Sequence, residues 1–100
     1  MALQKMSAQE IAEQLPSLQL WQFDAKLGSI TREFVLSDFR SAFEFMKQIA
    51  MEAENQNHHP EWRNVYNKVR ITWTTHDVQG ISMKDIELAH LCDQLFKLSS

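Results

Sequence analysis

The residues of this chain best suited to moving protons are its histidines. There are four, and three of them fall between positions 58 and 76, two side by side in the tripeptide His58-His59-Pro60. Imidazole titrates near pH 6.5, so at neutral pH it can serve as a general acid or a general base. Neighbouring side chains on a strand point to opposite faces. In a loop pinned by Pro60 both rings can instead be aimed at one cleft. His76 ends an alternating segment just before the break at Gly80, and strand ends and loops are common places for site residues. Two other readings stand beside this one. Histidines in a polar loop are often only solvated, and three imidazoles can hold a catalytic zinc with an open position. Adjacent His-His is awkward for chelating one ion, and no His-x-x-x-His pair occurs, so no metal ligands are assigned. His90 lies opposite the stripe Leu88, Leu91, Cys92 and Leu95 and reads as a surface residue, while Cys92 reads as core rather than nucleophile. No glycine-rich phosphate loop and no serine nucleophile elbow occurs.

The scaffold behind these residues must be small. One hundred residues, 44% of them hydrophobic and 23% charged, suffice for one core and one domain over 1–100, with residues 1–6 read as a flexible tail. The formal charge of −3 argues against a grip on nucleic-acid phosphates, which needs clustered Lys and Arg. It leaves open a protein partner that itself holds DNA. The single cysteine excludes an intrachain disulfide and a multi-thiolate zinc site, and packing alone suits a reducing compartment. Residues 1–7 lack a long apolar run and a small-residue cleavage pattern. No stretch approaches the ~20 apolar residues of a membrane span. The chain reads as soluble and intracellular.

Hydrophobic periodicity divides the chain into seven elements. Ser7-Ala8-Gln9-Glu10 fits a capping box, and Pro16 stops the short helix that follows. Leu20–Asp24 and Ile30–Leu36 alternate around a turn at Gly28 and read as a hairpin. Ser37 or Asp38 caps a long helix to about Asn55. Phe39, Ala42, Phe43, Met46, Ala50 and Ala53 form its stripe, and Phe45 and Ile49 widen the apolar arc beyond what a simple surface helix requires. That excess predicts a closed oligomer with Phe45 and Ile49 at its contact. Trp62–Val65 and Val69–Thr75 read as a second strand pair. Ser82-Met83-Lys84-Asp85 caps the last helix, which runs to about Leu98. The order α-β-β-α-β-β-α predicts an α+β, two-layer domain, a four-stranded antiparallel sheet with three helices on one face.

The run Glu54-Asn-Gln-Asn-His58-His59-Pro60, followed by Tyr66, His76 and Asp85, resembles the pterin-4a-carbinolamine dehydratase family. The strings His-His-Pro-Glu-Trp, Asn-Val-Tyr-Asn-Lys-Val and Thr-His-Asp, and the element order, are similar too. The resemblance spans roughly residues 8 to 98. Arg63, where relatives commonly carry an aromatic, and Trp73, bulkier than the usual aliphatic, depart from the pattern without touching the histidines.

The resemblance implies a substrate, 4a-hydroxytetrahydropterin, and loss of its C4a hydroxyl as water to give quinonoid dihydropterin, a step in tetrahydrobiopterin recycling. One proton must reach the leaving hydroxyl and another must leave a ring nitrogen, so one acid and one base suffice and no cofactor is expected. Carried over by position, His58, His59 and His76 are the candidate catalytic residues. His58 and His76 form the acid/base pair, and His59 positions the substrate or assists. Glu54, Pro60 and Asp85 are the candidate substrate-binding residues. For Glu54 the competing role is a solvated helix end, and for Asp85 it is a helix cap. Trp62 and Tyr66 read as cleft walls or, more safely, core. The expected location is the cytoplasm. The second reading is an interaction module: some relatives act as dimerization cofactors of a homeodomain transcription factor, in the nucleus, through a helical surface rather than the histidines. Either reading allows a homo-oligomer, dimer or tetramer. Neither calls for direct contact with nucleic acid or a membrane. A zinc hydrolase is a third, weaker option.

Overall fold

The computed structural model describes residues 3–99. Among these residues, helix α1 (Ala8–Gln14) runs into a 3-10 turn (Leu15–Ser17). Strands β1 (Gln22–Asp24) and β2 (Ser29–Val35) follow, then helix α2 (Phe39–Asn55), strands β3 (Glu61–Val65) and β4 (Lys68–Trp73), a 3-10 turn (His76–Val78) and helix α3 (Met83–Ser99). The expected α-β-β-α-β-β-α order is therefore present, built on one antiparallel sheet of order β1-β2-β4-β3. Both sequence-adjacent pairs are hairpins, and the sheet is joined through β2 and β4, where Ile30 pairs with Trp73 and Phe34 with Val69.

Alternation decides the two faces. Ile30, Phe34, Val69, Ile71 and Trp73 are buried and meet Phe45, Ile49, Ile86, Leu88 and Cys92 of the helices in one core. The other face carries Thr31, Glu33, Arg70 and Thr72, along with Glu61 and Arg63, and none of the described helices covers it. Full burial of an aromatic or branched side chain contributes about 1.5–3 kcal/mol, so the helical layer holds the sheet from one side only. At one end of that layer the Trp21 indole N–H (2.9 Å) and Arg32 (2.6 Å) both donate to Asp93, tying β2 to α3.

The capping box at α1 forms as expected: Glu10 N–H donates to Ser7 Oγ at 3.1 Å and Ser7 N–H to Glu10 Oε1 at 2.8 Å. The segment read as a flexible tail is anchored at its inner end. Met6 is buried, and its N–H donates to the Ile81 carbonyl at 2.8 Å. Met1 and Ala2, expected as part of the tail, lie outside the described residues. Asp38 caps α2, accepting the Ser41 N–H at 2.8 Å.

The core side of α2 differs from the stripe read in the sequence. Phe45 and Ile49 are fully buried with Ala42 and Ala53, whereas Phe39 and Phe43 are 49% and 55% exposed. The expected oligomer contact at Phe45 and Ile49 is thereby corrected, because both side chains are already enclosed by the chain's own sheet and α3. The physical reason is rotational. Phe34 and Phe96 offer Phe45 ring contacts at 4.9 and 5.9 Å, and seating it there turns Phe39 and Phe43 outward, where they touch each other at 6.0 Å.

The chain's two glycines meet. Gly28, at φ +65, lies where a side chain's Cβ would come within 2.8 Å of the Gly80 Cα. The left-handed backbone of the β1–β2 turn and this close approach both call for glycine. Thr74 Oγ1 donates to the Gly28 carbonyl at 2.7 Å, so the first hairpin's turn is fastened to the segment that follows β4.

Candidate active site

The end of α2 places the first histidine. Asn57 takes a left-handed conformation, φ +50. Its N–H donates to the Glu54 carbonyl at 3.2 Å, and the His58 N–H donates to the Ala53 carbonyl at 3.0 Å. This double closure is a Schellman helix end with asparagine in the position usually taken by glycine. It satisfies two orphan carbonyls and turns the chain back so that His58 enters the structure while His59 stays outside. Pro60 then leads directly into β3, consistent with the extended preference around proline.

His58 is held on two sides. Its Nε2 lies 2.6 Å from Asp85 Oδ1, and the side chains are 11% and 0% exposed. Its ring stacks on Trp73 with centroids 5.9 Å apart and 19° between planes. Asp85 is the third residue of α3. Its Oδ2 accepts the Ser82 N–H at 2.9 Å and the Thr75 hydroxyl at 2.6 Å. The expected helix cap thus also serves as the partner of His58, one carboxylate doing both jobs. It is fully buried, with His58 between it and the surface rather than itself exposed as a substrate-binding residue would be.

The other two histidines are surface residues. His59 Nε2 pairs with Glu54 Oε1 at 2.8 Å, with side chains 56% and 79% exposed. His76 does not end β4 as the alternation suggested. It opens the 3-10 turn after Thr75, and its Nε2 stands 3.5 Å from Glu61 Oε2. A concavity of about 1150 Å³ lies on the open side of the sheet, lined by His76, Glu61, Arg70, Thr72, Thr74 and the β1–β2 turn. His58 and His59 are not part of that lining. All three histidines nevertheless belong to one end of the β3–β4 hairpin, since Glu61 pairs with Thr72 and His58 lies over Trp73.

Tyr66 is neither core nor cleft wall. It is exposed with φ +51 in the two-residue loop between Val65 and Lys68, at the far end of β3 from Pro60. Trp62 is half-buried against the core. His90 is a surface residue as expected, with Nε2 3.3 Å from Ser17 Oγ. Cys92 is buried, and burial pushes its thiol up to about 12, the state of an inert packing residue. Near it the Trp73 indole N–H is buried without a hydrogen bond of ordinary geometry, and its direction toward the sulfur opposes the effect of burial on the Cys92 thiol. Among the described residues, no group of three His, Cys, Asp or Glu side chains is placed to hold a metal ion, and no helix is long and apolar enough to cross a membrane.

Three residues of this corner escaped the sequence reading. Thr75 has no signal except that it precedes His76. Ser82 was legible as a cap but not as a hydroxyl partner of Thr75, at 2.7 Å. Trp73 was visible only as an unusual bulk, not as the plane on which His58 rests.

Comparison with known proteins bears on this geometry. Residues 4–95 match the model of the family described as pterin 4 alpha carbinolamine dehydratase. A protein of Burkholderia pseudomallei (strain 1710b), named provisionally as a pterin-4-alpha-carbinolamine dehydratase, is 42% identical over 95 residues, covering 95% of this chain and 94% of that one. A protein of Sinorhizobium medicae (strain WSM419) with the same provisional name is 48% identical over 91 residues, covering 91% and 87%. Among solved structures, the transcriptional coactivator/pterin dehydratase from Brucella melitensis superposes with a TM-score of 0.87 at 40% identity, covering 91% of this chain and 97% of that one.

Proposed function

The chain belongs to the pterin-4a-carbinolamine dehydratase family, and from that premise we propose that it dehydrates a 4a-hydroxytetrahydropterin to quinonoid dihydropterin and water. The observation that carries the reading is the His58–Asp85 pair at 2.6 Å. It is a histidine fixed by a buried carboxylate at the position the family motif reserves for proton transfer. The C4a hydroxyl departs with a proton supplied by one imidazole. A ring nitrogen gives its proton to the other, and its lone pair forms the new C=N bond. His58 and His76 are the acid/base pair, and no hydride or redox partner enters the balance. His59, exposed and paired with Glu54, steers the substrate, and Glu54 is free at its outer oxygen to accept from the amino-pyrimidinone edge. Pro60 keeps both histidines at the mouth of β3. Asp85 supports this chemistry by positioning His58. The test is the rate of dehydration of freshly generated 4a-hydroxytetrahydropterin with and without the protein. An unaltered rate overturns the proposal.

A second reading, association, is favoured by the exposed apolar side of α2, where Phe39, Phe43 and Met51 are 49%, 55% and 62% exposed. We assign this side to contact between copies of the chain in a homo-oligomer, dimer or tetramer. Leaving two aromatic side chains wet is unfavourable by about 25 cal/mol per Å². A transcription-factor helix is the competing occupant. Sedimentation of wild type and of a Phe43→Glu variant at micromolar concentration decides it: a monomer in both overturns self-association.

A further inference from the structure

Resting on the dehydratase reading, we infer that Thr75 is a positioning residue that fixes which nitrogen of His58 handles the proton, with Ser82 in support. The hydrogen bonds around Asp85 have fixed directions. The Ser82 backbone N–H can only donate, and it donates to Asp85 Oδ2 at 2.9 Å. The Thr75 hydroxyl spends its single proton on the same oxygen at 2.6 Å. Its lone pairs then face Ser82 Oγ at 2.7 Å, which must be the donor there. Every bond in the chain runs toward the carboxylate. A carboxylate so held is an acceptor at its remaining oxygen as well, and the atom facing that oxygen is His58 Nε2, at 2.6 Å. Nε2 therefore carries a hydrogen.

The consequence is reached by elimination. With Nε2–H committed to Asp85, His58 exchanges protons through Nδ1 alone. As a base, Nδ1 takes the proton of the pterin ring nitrogen and the ring becomes an imidazolium; as an acid it returns one to the departing hydroxyl. In both cases Nε2 keeps its hydrogen and Asp85 stays ionised, so the carboxylate orients and stabilises without joining the transfer. Trp73 fixes the ring plane, which leaves the carboxylate to settle the tautomer. Thr75 also bridges to Gly80 through backbone bonds, its N–H donating to the Gly80 carbonyl at 2.9 Å, and it directly precedes His76. One residue thus sets the proton position on the first histidine and the backbone from which the second one starts.

The test uses the full chain labelled with 15N in its histidines, His58 being assigned through a His58→Gln variant. The expected wild-type spectrum places the hydrogen of neutral His58 on Nε2. Thr75→Val, nearly identical in shape, should mix the two tautomers and lower kcat at least fivefold with KM within twofold. Thr75→Ser should restore both, and Ser82→Ala, which keeps the backbone N–H donor, should fall between. A neutral wild-type His58 with its hydrogen on Nδ1 overturns the inference whether or not the valine variant folds. So does a folded Thr75→Val protein with an unchanged tautomer and an unchanged kcat. If the spectra behave as expected while the wild type fails to dehydrate 4a-hydroxytetrahydropterin, the positioning of His58 stands and the dehydratase reading falls.

Discussion

His58 and His76 are the same residue type, assigned to the same reaction, and the fold treats them in opposite ways. His58 is enclosed between Trp73 and a fully buried Asp85, whereas His76 is 80% exposed and touches one exposed glutamate at 3.5 Å. The first is oriented before any ligand arrives. The second is oriented, if at all, by the ligand itself. In such a pair the built-in partner contributes preorganisation, and the exposed one contributes access. The cost of each to the fold should differ as sharply as its surroundings do.

The largest effect should come from the support, not from either histidine. Asp85→Ala removes a buried partner of three donors and should cost about 3–5 kcal/mol, read as a loss in denaturant midpoint, with a fall in dehydration rate that His76→Ala does not exceed. Next comes the activity of the two histidines. His58→Gln and His76→Gln should each slow dehydration at least tenfold, since a positioned acid or base contributes about 10²–10⁴-fold. Their stabilities should then separate. His58→Ala leaves Asp85 short of one donor and should cost about 1–3 kcal/mol, whereas His76→Ala should stay within about 0.5 kcal/mol of wild type. Equal stability losses for these two variants would erase the contrast. His90→Ala should be almost silent in both measurements, and damage there equal to that of His58 would mean the wrong histidines were chosen.

The smallest effects define the pH window for this comparison. Asp38 is held below the usual carboxylate range, first by the Ser41 backbone N–H and then by the Ser41 side chain. Its contribution is complete above the unfolded value of 3.8 and disappears as pH falls through the lowered one. Cys92 works at the other end. With the thiol at 9.0 when free and pushed up to about 12 by burial, the unfolded chain sheds its proton first. Stability should therefore fall as pH rises from about 9 to about 12. Denaturation midpoints across pH, with Cys92→Ala as control, check this. A flat alkaline limb shared by both proteins would contradict the burial.

How much of this was legible depended on whether the signal was local. Caps, the break at Pro16, the Gly28 turn and strand alternation are properties of a few adjacent residues, and the element order followed from them. The rotation of α2 was not local. Its two candidate faces both carry phenylalanines, and only the fit of Phe45 between Phe34 and Phe96 decides which one turns inward. The histidines were legible by type and, through the family motif, by spacing. Their inequality was not, because it depends on Thr75, Ser82 and Asp85 meeting across a loop. Tyr66 shows the reverse case, a motif position that the hairpin carries away from the histidines.

The meeting of Gly28 and Gly80 has a consequence for descent. Gly28 is closed to change twice over, by its left-handed backbone and by the Gly80 Cα within 2.8 Å of any Cβ. Gly80 is closed only by the far end of the Lys5 side chain, whose Cε stands 2.9 Å from where a Cβ would sit. A lineage could therefore exchange Gly80 for alanine wherever the flexible Lys5 side chain swings aside or is shortened. The same lineage would find no comparable route away from Gly28. The history open to the loop that carries His76 is set in part by a residue near the other end of the chain.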